Sequence, residues 1–195
     1  DCVMKPTGGL DNEAMLGSLF DQGTIAVRRG LLFDRSPEPI IGRTDFERVE
    51  GMLLGIAIGD SLGNTTEGMT PEIREAKHGT ITDYVTGRYG SGVPSDDTQL
   101  AFWTLEQMLE DGRIDPELIA DSFTKDQIYG IGQAVSEFLY NKSQGLPWQH
   151  CGAKSAGNGA LMRIAPVVLP HLRSATPDLW VDTALLSMVT HNDSA

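Results

Sequence analysis

The chain has 195 residues, 40% hydrophobic and 22% charged, which is ordinary globular material and enough for one domain with a real core. A formal net charge of −12 excludes a general nucleic-acid surface, because phosphate binding needs an excess of Lys and Arg on at least one face. The longest strongly apolar run without a charge, Met52–Gly59, is far too short to span a bilayer, so no membrane partner is expected.

Residues 1–44 differ from the rest. They carry Gly8-Gly9, Gly23, Arg28-Arg29-Gly30 and a Pro37–Pro39 stretch, with only short apolar clusters such as Leu31-Leu32-Phe33. They read as an N-terminal extension, partly ordered by packing on the main body, with a boundary near Gly42–Asp45. No basic start is followed by an apolar run, so no signal peptide is read. Cys2 and Cys151 form neither a disulfide framework nor a C-x-x-C pair, and a reducing, cytoplasmic setting is expected.

From Asp45 to Ala195 the pattern is helical. Arg48–Leu62 carries glycines at 51, 55 and 59, continued by Gly63, and this spacing of four puts them on one helix face. Each glycine costs a helix roughly 1 kcal/mol relative to alanine, so the stripe predicts a second helix or a loop lying close against it. Pro94-Ser95-Asp96-Asp97 opens a helix that runs to about Glu110 and closes at Gly112. Asp115-Pro116-Glu117 is another start, a capping residue followed by proline at the first helical position. A further helix runs from about Gly130 to Asn141, ahead of Gly145, and Ser155–Gly159 follows as a glycine-rich loop. The apolar run Leu161–Leu169 ends at Pro170. Thr176-Pro177 starts a last helix with Leu179, Leu185, Met188 and Val189 on its buried side. Strand signals are scarce, so the fold class is all-α.

Four segments carry chemistry. In Ser95-Asp96-Asp97-Thr98, two adjacent carboxylates beside a hydroxyl offer hard oxygen ligands of the kind magnesium takes. Helix capping explains the same residues, since an N-cap and an acidic first turn each stabilise by about 1 kcal/mol or less, and Gln99 even suggests a capping box. Glu67 stands between Thr66 and Gly68 in a flexible segment after the first helix, where a movable carboxylate suits acid–base work at a glycosidic bond; a solvated loop glutamate is the simpler account. Ser155-Ala156-Gly157-Asn158-Gly159 exposes backbone N–H groups that suit a phosphate or ribose hydroxyls, or else forms a plain Asn-Gly turn; it is no Walker A loop. Thr190-His191 ends a buried helix, and no second histidine stands at zinc-ligand spacing.

Taken in order, Gly51–Gly63, Ser95-Asp96-Asp97-Thr98-Gln99, Gly157-Asn158-Gly159-Ala160-Leu161-Met162-Arg163 and Thr190-His191 resemble the ADP-ribosylglycohydrolase family over about residues 45–195. The resemblance implies a compact multi-helix fold with two Mg2+ ions in a cleft, Mn2+ being a substitute. It makes Ser95, Asp96 and Asp97 metal ligands, with serine where threonine is common, and Glu67 or Asp97 the catalytic carboxylate. Ser155, Gly157, Asn158, Gly159 and His191 become the ADP-ribose pocket. The family completes its metal site with an Asp-x-Asp-Thr-type motif further along, and this chain stops at Ala195 before any such motif. The fold is therefore expected to lack its C-terminal part, with half of the metal ligands in the missing half.

The reaction implied is magnesium-dependent removal of ADP-ribose from modified proteins, foremost at arginine. Serine- or acetyl-linked ADP-ribose is the alternative within the same chemistry. A reading of a different class is an immunity protein, in which residues 1–44 serve as a partner-binding arm that plugs an ADP-ribosylating toxin. A purely structural descendant is a third class, against which Asp96 and Asp97 weigh.

Overall fold

The computed structural model describes residues 12–38, 45–173 and 176–194. Gly8-Gly9, Cys2, Pro39 and the expected boundary at residues 42–44 lie outside the described residues. The elements are α1 (Asn12–Asp21), α2 (Phe46–Gly63), α3 (Pro71–His78), α4 (Asp96–Asp111), α5 (Pro116–Ser122), α6 (Gln133–Ser143) and α7 (Asp178–Met188). Several 3₁₀ turns join them, and an antiparallel ribbon pairs β1 (Thr86–Gly87) with β2 (Gly90–Ser91) in the register Thr86 to Ser91. The all-α reading holds. Two compact units divide the chain, with the division falling after Gln99 and around residues 128–131.

The first unit contains the described residues of 1–43, 100–127 and 132–194. Helix α7 is its centre. Helices α1 and α5 and the 3₁₀ turns Leu31–Asp34, Asn158–Arg163 and Ala165–Arg173 all pack on α7. Val181, Leu185, Leu186 and Met188 of α7 are buried, and Val189 just beyond it is fully buried. Full burial of one such side chain is worth about 1.5–3 kcal/mol. Leu179, expected on the same side, is only half-buried. Phe123 and Phe138 meet edge to face at 6.2 Å in the core.

Helix α1 was not legible as a helix. Only Leu16 and Leu19 of its short apolar set are buried, and Gly17 interrupts them. What fixes the helix is tertiary: Asn12 Nδ2 donates to Ile114 O at 3.1 Å and to Asp182 Oδ1 at 2.6 Å on α7. The other Asp182 oxygen meets His171 Nε2 at 2.9 Å, so Asn12, Asp182 and His171 form a buried polar network. Asp115 caps α5 as expected, accepting from Glu117 N at 3.0 Å and Leu118 N at 3.3 Å. Pro170 does not end its segment but lies inside the 3₁₀ run Ala165–Arg173. Proline removes one donor and leaves its carbonyl available, which a chain of short i→i+3 turns tolerates.

The second unit contains the described residues of 44–99 and 128–131. Asp45 caps α2, accepting from Arg48 N at 3.0 Å. Thr70 caps α3 in the same way, ahead of Pro71 at its first turn. The glycine stripe of α2 departs from expectation. A Cβ added at Gly51, Gly55, Gly59 or Gly63 would meet nothing within 4 Å, and Leu54 and Ile58 beside them are exposed. Spacing defines a face and does not supply a partner for it, and among the described residues none presses there.

Candidate functional site

The carboxylate segment is organised by Asp60, on the last turn of α2. Asp60 Oδ2 accepts from Ser95 N at 2.7 Å, Thr98 Oγ1 at 2.6 Å and Thr98 N at 3.3 Å. Asp60 Oδ1 accepts from Ser95 Oγ at 2.7 Å and from Asn64 Nδ2 at 3.0 Å. A carboxylate near a helix C-terminus opposes the dipole of its own helix. Here it is repaid by the opening N–H groups of α4, whose partial charge has the opposite sign. Much of the capping of α4 is done by Asp60, from another element. The Gln99 amide oxygen accepts from Tyr129 N at 2.7 Å.

Ser95 Oγ also lies 3.0 Å from Asp97 Oδ2, and Asp97 is half-buried while Ser95 and Asp96 are buried. Gly130 completes the packing. Its φ is +75°, and a Cβ there would stand 3.1 Å from Ser95 Cβ and 3.6 Å from Asp96 Oδ1. Glu67 ends the 3₁₀ turn Asn64–Thr66, with its N–H donating to Asn64 O at 3.1 Å. Its side chain is exposed, and Gly68 follows at φ +75°. Asp60 is the residue that motif reading missed. The signal was present in an acidic side chain at the wrong end of a helix, which needs a partner from elsewhere.

The second set of residues lies in the first unit, around a cavity of about 360 Å³. Ser155, Gly157, Asn158 and His191 all line it. The pairing that joins them is a parallel bridge of Ala153 with His191, in which Ala153 N donates to Thr190 O at 2.9 Å and Asn192 N to Ala153 O at 2.8 Å. Gly152 makes that approach possible, because a Cβ there would run into Met188 O. Gly159 faces the imidazole, and a Cβ there would stand 2.7 Å from His191 Cε1 and 3.0 Å from Nε2. These are close-approach glycines.

His191 is held from behind. Arg163 is fully buried, and its Nη1 and Nη2 donate to Leu186 O at 3.2 and 2.9 Å. Nη2 also donates to Thr190 Oγ1 at 2.6 Å, and that hydroxyl meets His191 Nδ1 at 2.8 Å. The guanidinium stacks over Phe123 at 5.2 Å. Burial lowers the Arg163 pKa to about 10, which leaves it charged at neutral pH. Burial first, and then the Arg163 charge, hold His191 below the usual histidine range. When the Thr190 hydroxyl donates to Nδ1, the neutral ring carries its proton on Nε2, the nitrogen nearest the glycine loop.

The sequence model of the ADP-ribosylglycohydrolase family matches residues 42–195. The chain belongs to that family. It is 29% identical over 161 residues to a Pseudomonas putida protein named ADP-ribosylarginine hydrolase Tri1, covering 75% of this chain and 42% of the relative. It is 28% identical over 163 residues to the ADP-ribosyl-[dinitrogen reductase] glycohydrolase of Rhodospirillum rubrum, covering 77% and 53%. Among solved structures, one titled "ADP-ribosylglycohydrolase-related protein complex" superposes with a TM-score of 0.54 at 34% identity, covering 73% of this chain and 48% of that one. The chain thus spans about half the length of the curated relatives it matches.

Whether this ADP-ribosylglycohydrolase segment suits magnesium is a question of donor chemistry. Ser95 Oγ and Asp97 Oδ2, 3.0 Å apart beside Asp96, are hard oxygens of the right kind. Among the described residues no group of three or more His, Cys, Asp or Glu encloses a metal position. The donor type therefore fits, and what these residues offer is one side of a coordination shell whose other positions would go to water or substrate oxygens.

Proposed function

We propose that the protein is a magnesium-dependent hydrolase that removes ADP-ribose from modified proteins, at the N-glycosidic bond of ADP-ribosyl-arginine. One observation carries the reading: in a chain of this family, the glycine loop and His191 converge on a single cavity. The choice of arginine is supported by the relative named ADP-ribosylarginine hydrolase.

In this reading Ser95, Asp96 and Asp97 hold the cation, Mn2+ serving in place of Mg2+. The bound ion would polarise a water or a ribose hydroxyl near the anomeric carbon. Asp60 aims the ligand segment through five accepted hydrogen bonds and does not itself act on substrate. Glu67 would give a proton to the departing nitrogen. It is exposed, and the positive φ of Gly68 frees the chain to turn behind it. Asp97 is the other carboxylate suited to proton transfer. His191 Nε2 and the opening N–H groups of the Asn158–Arg163 turn donate to the hydroxyls or phosphates of the ADP-ribosyl group.

The reading is tested by following release of ADP-ribose from ADP-ribosyl-arginine, with and without chelator. Release that needs the divalent cation supports it. Release from serine or acetyl linkages alone would move the substrate assignment to an O-glycosidic bond.

A further inference from the structure

Part of the lining of the cavity comes from residues that the family match does not include. That match begins at residue 42, yet Ile25, Val27, Leu32 and Phe33 line the cavity together with Leu161 and Trp180. We propose that residues 24–35 are a specificity-determining wall of the ligand site, and that Leu32 and Phe33 receive the flat, apolar base of an ADP-ribosyl ligand. This rests on the reading of the cavity as the ADP-ribosyl site.

Three separate anchors hold the segment. Asn192, the neighbour of His191, clamps one end, with Nδ2 donating to Thr24 O at 2.8 Å and Oδ1 accepting from Ala26 N at 2.7 Å. Trp180 on α7 clamps the other, its indole N–H donating to Arg35 O at 2.7 Å. Between the clamps Phe20 of α1 braces Phe33 edge to face at 5.7 Å. A segment fixed at both ends and in the middle has already lost its conformational entropy, so a ligand that lands on it need not supply that cost.

The anchored segment nevertheless leaves apolar surface open. Leu32 is 53% exposed and Leu161, which also lines the cavity, is 72% exposed. Neither side chain is spent on the core, while His191 and the glycine loop bring polar groups to the same cavity. A mostly apolar lining with a small number of polar groups is how sites for molecules of this size are usually built, in cavities from about 300 Å³ upward. The arrangement suits a ligand with a flat apolar end and a hydroxyl- or phosphate-bearing end.

The test compares ADP-ribose with ribose 5-phosphate, which lacks the base, by calorimetry on the full chain and on Leu32→Ala and Leu32→Glu. Both substitutions are at a half-exposed side chain, and thermal melting confirms that each variant folds. The proposal expects Leu32→Glu to weaken ADP-ribose by about tenfold or more, with Leu32→Ala in between. The preference for ADP-ribose over ribose 5-phosphate falls by the same factor. Equal loss for both ligands, no loss for either, or tighter binding of both would overturn the wall. If the wild-type chain binds ADP-ribose and the variants match it, only the wall fails. If the wild-type chain binds neither ligand, the ADP-ribosyl reading of the cavity fails and the wall goes with it.

Discussion

Asp60 shows how a single side chain can matter without touching the reaction. Its two oxygens accept five hydrogen bonds, four of them from Ser95 and Thr98, which flank Asp96 and Asp97. Asp60→Asn keeps one acceptor oxygen and replaces the other with a donor that faces donors. The variant should lose about 1–3 kcal/mol of stability, the usual cost of leaving such groups unpaired. Denaturant unfolding measures it, and a loss below about 0.5 kcal/mol would show that the cap is not structural. His191 gives a second residue-scale expectation. Its pKa is lowered in the folded chain, so below the ordinary histidine value near 6.5 the unfolded chain binds more protons than the folded one. Stability should therefore rise with pH up to that value, and fall as pH drops toward the lowered folded pKa. Melting curves at pH 5.5 and 7.5 on wild type and His191→Gln check the sign, the pH-dependent difference being smaller in the variant.

At the scale of elements, helix starts were the legible part. Asp115-Pro116 and the Pro94–Asp97 stretch announce α5 and α4, because capping and proline chemistry are local. Thr70-Pro71 carries the same signature for α3. Helix α1 was not readable, since what holds it is Asn12 reaching Asp182, a partner 170 residues away. The glycine stripe of α2 was readable as a face and misread as a contact. Arg163 belongs to this scale, because it fastens the end of α7 to the Asn158–Arg163 turn through Leu186 O and Thr190 Oγ1. Arg163→Lys keeps the charge and loses the planar fork. It should cost about 2–3 kcal/mol, with ligand affinity falling as Thr190 and His191 lose their backing. Equilibrium unfolding together with ADP-ribose titration reads both, and an unchanged unfolding midpoint would contradict the role given to Arg163.

For the molecule as a whole, the four motifs point to the family by residue type and order alone, and the match over residues 42–195 agrees. Motifs identify residues by type and order, so Ser95, Asp97, Gly157, Asn158 and His191 stand out in the sequence as candidates. Their supports do not. Asp60, Gly130, Gly152 and Arg163 act through approach distances and buried hydrogen bonds, which have no fixed spacing in the chain. The wall from residues 24–35 was least legible of all, because it comes from sequence that looked like an extension and matters only where it lands.

The central claim is that Ser95, Asp96 and Asp97 hold a catalytic divalent ion in an ADP-ribosyl hydrolase. The most direct measurement is the rate of ADP-ribose release from ADP-ribosyl-arginine by the protein and by its Asp97→Ala variant, each with Mg2+ and with EDTA. The account expects release by the wild type with Mg2+ only, and a fall of a hundredfold or more, about 3 kcal/mol in the barrier, for the folded variant. Release that ignores both the chelator and the substitution, or no release from the wild type with either Mg2+ or Mn2+, would contradict it.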